Sequence, residues 1–163
     1  MSRGTGLAKS RVMRLMPIKR IVVGTDFSDG SDAALEVAVG MAAAFQAPLE
    51  LVHVVETGVM VAPIPLGAMA LVDGAELFGK IDAALTERAA KAVEKGLTCQ
   101  TVSLQGHPPR MLVDHAKKVG ASLIVVGTHG RTGIEHVLMG SVAERVVQRA
   151  ACPVLVVPQA RGT

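Results

Sequence analysis

The chain of 163 residues has no Trp, no Tyr and only three Phe. Proteins that grip single-stranded nucleic acid stack its bases on aromatic rings, so this composition argues against such a role. Cysteine is scarce as well. Cys99 and Cys152 lie on or beside separate apolar runs and read as small core residues rather than a disulfide framework. That fits a reducing compartment, and a cytoplasmic protein is expected. No apolar run approaches the roughly 20 residues that span a bilayer, so no membrane partner is expected. The first seventeen residues carry bases but lack the continuous apolar stretch of a secretory signal. The chain also lacks G-x-x-x-x-G-K-[ST], which excludes a P-loop NTPase, and an early G-x-G-x-x-G, which excludes a dinucleotide-binding Rossmann unit. No paired nucleophile and base is evident.

Acidic residues are missing from the first twenty positions, and that absence explains the charge. The formal net charge is +3, but six of the 17 bases lie in that stretch, and the remaining eleven face all 14 acids. The basic character belongs to a tail, and the body is mildly acidic. A broad nucleic-acid-binding face is therefore not expected. Residues 1–16 read as a disordered tail, with Met16 an alternative translation start.

What is present is an alternation of two apolar patterns. Half of the residues are hydrophobic, enough for one domain with a sizeable core. The continuous β-branched run at residues 20–25 suits a strand covered on both faces, and further strands are read at residues 49–55, 97–104, 122–127 and 153–158. Between them, apolar residues recur at helical spacing. Ala34, Ala38, Met41, Ala42 and Phe45 form one inward stripe, behind a cap at Ser28 or Asp29. Phe78, Ile81, Leu85, Ala89 and Ala92 form a second, over about residues 75–95, and Gly96 ends it. Leu112, Val113, Ala116 and Val119 form a third over residues 109–119. Val142, Ala143, Val146 and Val147 form a fourth. Strands alternating with helices predict βαβ units and a parallel sheet with helices on both faces. Residues 56–74 form a long, apolar connection, either a partner surface or a loop folded back on its own domain. His53, set among valines, reads as a satisfied core residue.

The stretch from Gly127 to Ser141, G-T-H-G-R-T-G-I-E-H-V-L-M-G-S, follows the fourth strand and opens the fourth helix. Glycine lets a ligand approach the main chain. A strand, a glycine-bearing loop and a helix N-terminus together form an anion site, since free N–H groups and the helix dipole converge there. A phosphate cradle and an ordinary connection with Ser141 as N-cap both fit. His129 and His136 lie in this loop, without further ligands at metal-site spacing, and no protein metal site is assigned.

The spacing Gly127, two residues, Gly130, nine residues, Gly140-Ser141 resembles the ATP-binding signature of the universal stress protein family. Ile21-Val-Val-Gly-Thr-Asp-Phe-Ser28 resembles that family's first strand, and Cys152-Pro-Val-Leu-Val-Val-Pro158 its last. The resemblance covers residues 17–158, leaving 159–163 as a tail. It implies a single-domain, Rossmann-like α/β fold whose five-stranded parallel sheet runs 3-2-1-4-5. The ends of strands one and four then flank the crevice where open α/β sheets take ligands. It further implies that the backbone of Gly127, Thr128, His129 and Gly130, and of Gly140, Ser141 and Val142, holds phosphates. Asp26 would accept from ribose, with a helix-capping role as its alternative. Gly24 and Thr25 would line the same edge, the Val54 backbone would meet adenine, and Val126 would pack on the base. Arg131 would screen phosphate charge or stand solvated. The cofactor implied is ATP, with Mg2+ or Mn2+ held through its phosphates. The activity implied is a nucleotide-dependent switch. A slow ATPase or AMP-forming enzyme and a nucleotide-free interaction module are the alternatives. A homodimer through the last strand is also implied.

Overall fold

The computed structural model describes residues 17–56, 74–128 and 139–158. Both predicted tails, and nearly all of the 56–74 connection, lie outside them. Five strands form one parallel sheet: β1 (Ile21–Thr25), β2 (Leu49–Val55), β3 (Cys99–Gln105), β4 (Leu123–Gly127) and β5 (Val154–Val157), in the order β3-β2-β1-β4-β5. The expected order is the observed one. β1 lies in the middle, with Ile21 opposite both Leu49 and Leu123. The helices are α1 (Asp29–Phe45), α2 (Gly74–Val93), α3 (Pro108–Lys118) and α4 (Ser141–Arg149).

The sheet is apolar on both faces because its side chains alternate between two separate cores. Ile21, Val23, Leu49, Leu51 and Val125 point to one, closed by Leu35 and Ala38 of α1 and Leu85 of α2. Val22, Val52, Ile124 and Val126 point to the other, closed by Leu112 and Ala116 of α3 and Ala143 and Val146 of α4. Each fully buried aliphatic side chain contributes roughly 1.5–3 kcal/mol of transfer free energy. Two central valines in succession therefore stabilise opposite layers.

Three side chains expected to face inward do not. Phe45 is 52% exposed. Helix α1 turns off at Gln46, in the left-handed region at φ 51°, and Ala47 takes the buried place instead. Val142 and Val147 are 40% and 46% exposed. The short α4 packs on α3 and β5, and its buried residues are Ala143 and Val146, a narrow line. Among the described residues no helix is long and apolar enough to cross a membrane.

At the amino end of the sheet sits one buried carboxylate. Glu50, 3% exposed, takes an ion pair from Arg20 and a 2.7 Å contact from His115 Nε2. A buried charge is tolerated only when paired in this way.

Candidate functional site

The carboxyl ends of β1 and β4 lie side by side, since these strands pair in parallel through Val23 and Val125. From β1 the chain passes through Thr25, Asp26 and Phe27 to Ser28, the N-cap of α1. The Ser28 hydroxyl accepts the Ser31 N–H at 3.3 Å. Asp26 is one step behind that cap. Its Oδ1 accepts from the Ser28 N–H at 3.1 Å and from the Ser28 hydroxyl at 2.5 Å. Of the two capping candidates Ser28 is therefore the cap, and Asp26 orients it. Thr25 is buried, and its hydroxyl lies 3.0 Å from that of Ser31 and accepts the Phe27 N–H at 3.1 Å.

The two glycines at these strand ends make room for protein. A Cβ on Gly127 would lie 2.6 Å from the carbonyl oxygen of Gly30, so the first turn of α1 sits directly on the end of β4. A Cβ on Gly24 would lie 2.9 Å from Leu112 and 3.3 Å from Val126. Val126 itself is buried in the α3–α4 core, and Val54 is half-buried against the same core.

Beyond Gly127 the Thr128 N–H donates to Val157 O at 2.9 Å, and the Thr128 carbonyl accepts the Gly140 N–H at 2.6 Å. That second bond brings the start of α4 to the end of β4. Gly140, not Ser141, is the N-cap. It has no side chain to cap with, and its φ of −68° and ψ of 153° are open to any residue. Ser141 is the first helical residue, and both it and Val142 are exposed. The leading N–H groups of a helix have no intrahelical acceptor. Here they stand at the sheet's carboxyl edge with the positive end of the helix dipole behind them. His129, Gly130 and Arg131 lie outside the described residues. No cluster of three or more His, Cys, Asp or Glu fit for a metal ion occurs among the described residues.

This arrangement matches a known one. The description of the Universal stress protein family matches residues 17–158. The chain belongs to the universal stress protein family. A universal stress protein of Methanocaldococcus jannaschii is 39% identical over 140 residues, covering 85% of this chain and 81% of the relative. Among solved structures, a universal stress protein in complex with cAMP superposes with a TM-score of 0.67 at 29% identity, covering 89% of this chain and all of that one. The universal stress protein from Archaeoglobus fulgidus in complex with dAMP does so with a TM-score of 0.64 at 26% identity, covering 87% and 99%.

Beside the carboxyl ends of β1 and β4 stands a group of residues that the sequence did not announce. Phe27 has φ 66°, in the left-handed region. Its ring centre lies 4.3 Å from that of the His53 imidazole, and the Arg88 guanidinium lies over the ring, 5.0 Å from its centre. His53 is buried, as its apolar surroundings suggested, and its Nδ1 meets Thr25 O at 2.8 Å. Arg88 is bound to Asp32 at 2.8 Å. Nothing local marks Arg88, which comes from α2, 61 residues after Phe27.

Proposed function

We propose that this universal stress protein binds ATP in the crevice between the ends of β1 and β4 and uses the bound nucleotide as a switch in a stress response. The observation that carries the reading is the Gly140–Thr128 hydrogen bond, which sets a helix N-terminus, its N-cap a glycine, at the mouth of the crevice. The backbone of Gly127, Thr128, His129 and Gly130 and the N–H groups of Gly140, Ser141 and Val142 are assigned to the phosphates, with the Ser141 hydroxyl as a further donor. Asp26 is assigned to the ribose. Gly24 and Thr25 line the site, Val54 and Val126 attend the base, and Arg131 screens phosphate charge. A Mg2+ or Mn2+ ion arriving with ATP is held mainly through phosphate oxygens and water. That both neighbours named above bind adenine nucleotides, cAMP in one and dAMP in the other, supports an adenine ligand.

The test is mass spectrometry of nucleotide released from purified protein, followed by calorimetry with added ATP. Recovery of ATP supports the reading; an empty protein that also ignores added ATP overturns it. Gly140→Val sharpens the test. The backbone there accepts a β-branched residue, so the fold should persist while the side chain obstructs the phosphate end. Product analysis with magnesium separates a switch from an enzyme: fast multiple turnover to ADP or AMP would favour the enzyme.

The same reading includes a homodimer through residues 153–158. β5 is an edge strand of four uncharged residues, confined between Pro153 and Pro158. Such an edge offers its backbone to another strand, and a two-fold axis would let two copies satisfy each other. Light scattering at high protein concentration checks it, and a monomer would refute it.

A further inference from the structure

We infer that Arg88 is a positioning residue for the nucleotide site: by holding Phe27 in its left-handed conformation it fixes the Asp26–Ser28 turn. This rests on the assignment of Asp26 to the nucleotide made above. A non-glycine residue in the left-handed region is unfavourable, and it persists only where its surroundings over-determine it. Phe27 is over-determined from four sides. Its N–H is bound by the Thr25 hydroxyl at 3.1 Å. Its carbonyl accepts from Arg88 Nη2 at 3.4 Å. Its ring also meets the His53 ring and the Arg88 guanidinium. The last two come from β2 and α2, elements remote in sequence from the turn they hold.

Arg88 is itself fixed. Its side chain is 20% exposed, and its Nε donates to Asp32 Oδ1 at 2.8 Å. A tie between α2 and α1 would need only that ion pair. The additional reach to the Phe27 carbonyl and ring uses a planar cation with donors spread over separate nitrogens, whereas lysine carries its donors on one nitrogen. The residue immediately before Phe27 is Asp26, whose carboxylate direction is set by its bonds to Ser28. Flattening Phe27 to ordinary angles would swing that pair out of register. Arg88 therefore acts on the ligand through the turn and not by touching it.

The test uses the full chain with Arg88→Met, Arg88→Lys, Phe27→Gly and the double variant Phe27→Gly/Arg88→Met. Hydrogen exchange at the Ser28 amide reads the turn directly, exchange at Val39 reads the body of α1, and calorimetry reads ATP. In Arg88→Met, Ser28 exchange should quicken by about tenfold and ATP binding weaken by a similar factor, the size of couplings within one contact network. Val39 should stay protected. Arg88→Lys should keep the melting temperature, since it can still pair with Asp32, yet show the same loosening at Ser28. Glycine adopts φ 66° freely, so adding Arg88→Met to Phe27→Gly should change little more. A wild type that ignores ATP while Arg88→Met still frees Ser28 would sink the nucleotide reading and support the clamp. A wild type that binds ATP while both Arg88 variants keep Ser28 protection and affinity would overturn the clamp and spare the nucleotide reading.

Discussion

At the amino end of the sheet, polar side chains close on one another. Glu50 is held by Arg20 and His115. Ser122 accepts the Lys19 and Arg20 N–H groups at 2.7 and 3.1 Å and returns its own proton to Arg20 O at 3.0 Å. At the carboxyl end side chains also bond, Asp26 to Ser28 and Arg88 to Asp32, but backbone matters as much: Gly24 and Gly127, where a Cβ would collide, and Gly140, an N-cap with no side chain. One end ties the entry of β1 to β2 and α3 through the buried Glu50 carboxylate, and to β4 through the Ser122 hydroxyl. The other is shaped in part by side chains left out. On the proposed function, the same parallel sheet divides stability and binding between its two ends. A substitution at the amino end should register in stability alone, and one at the carboxyl end in binding as well.

The largest effect is expected at the amino end. Arg20→Met leaves Glu50 with His115 alone, and stability should fall by about 3 kcal/mol, the lower part of the range for breaking a buried pair. Urea unfolding measures this, and ATP affinity of the folded protein should stay at the wild-type value. A drop in affinity would break the division. Gly127→Ala should come next, and it should do both kinds of harm. The added methyl meets the Gly30 carbonyl, which is backbone and yields little, so a loss of about 3 kcal/mol, the upper end of ordinary overpacking, is expected. Affinity should fall with it. Intact affinity would show that Gly127 serves packing only. Asp26→Ala should weaken ATP binding by roughly 1–3 kcal/mol, the value of a hydrogen bond to a charged group. It should also cost about 1 kcal/mol of stability, because the Ser28 cap loses its orienting partner. Calorimetry and unfolding on one variant read both, and a stability loss without an affinity loss would return Asp26 to the helix.

The smallest effect concerns the thiols, which belong to neither end's chemistry. Burial pushes both Cys99 and Cys152 above the ordinary value of 9.0. The protonated thiol is thus favoured in the folded state. Its contribution is whole below pH 9 and is lost as pH rises through the higher folded value. Urea midpoints should fall more between pH 8.5 and 10.5 for the wild type than for Cys99→Ala/Cys152→Ala. Equal falls would show that the thiols do not report burial.

Much of this was legible beforehand, for reasons that differ by element. The central strands show themselves because strands covered on both faces are largely apolar, whereas β3, at the sheet's edge, mixes polar and apolar residues. The strand order followed from resemblance and not from any local signal. Gly127 and Gly140 stood out by spacing, yet the reasons the structure supplies are different ones. Gly127 admits the turn at Gly30, and Gly140 carries ordinary backbone angles. Phe45, Val142 and Val147 were misplaced because helical periodicity gives a direction without saying how wide the covered stripe is. Glu50 was passed over because a single acid in a strand reads as solvent-facing until its partners, 30 and 65 residues away, are brought to it. Arg88 was invisible for the same reason.

The hydrogen bond from Gly140 to the Thr128 carbonyl also joins backbone to backbone. An exchange of side chain at Thr128 or Ser141 therefore leaves both partners of that bond in place. In engineering terms, ligand preference can be varied at those two positions while β4 and α4 keep their register.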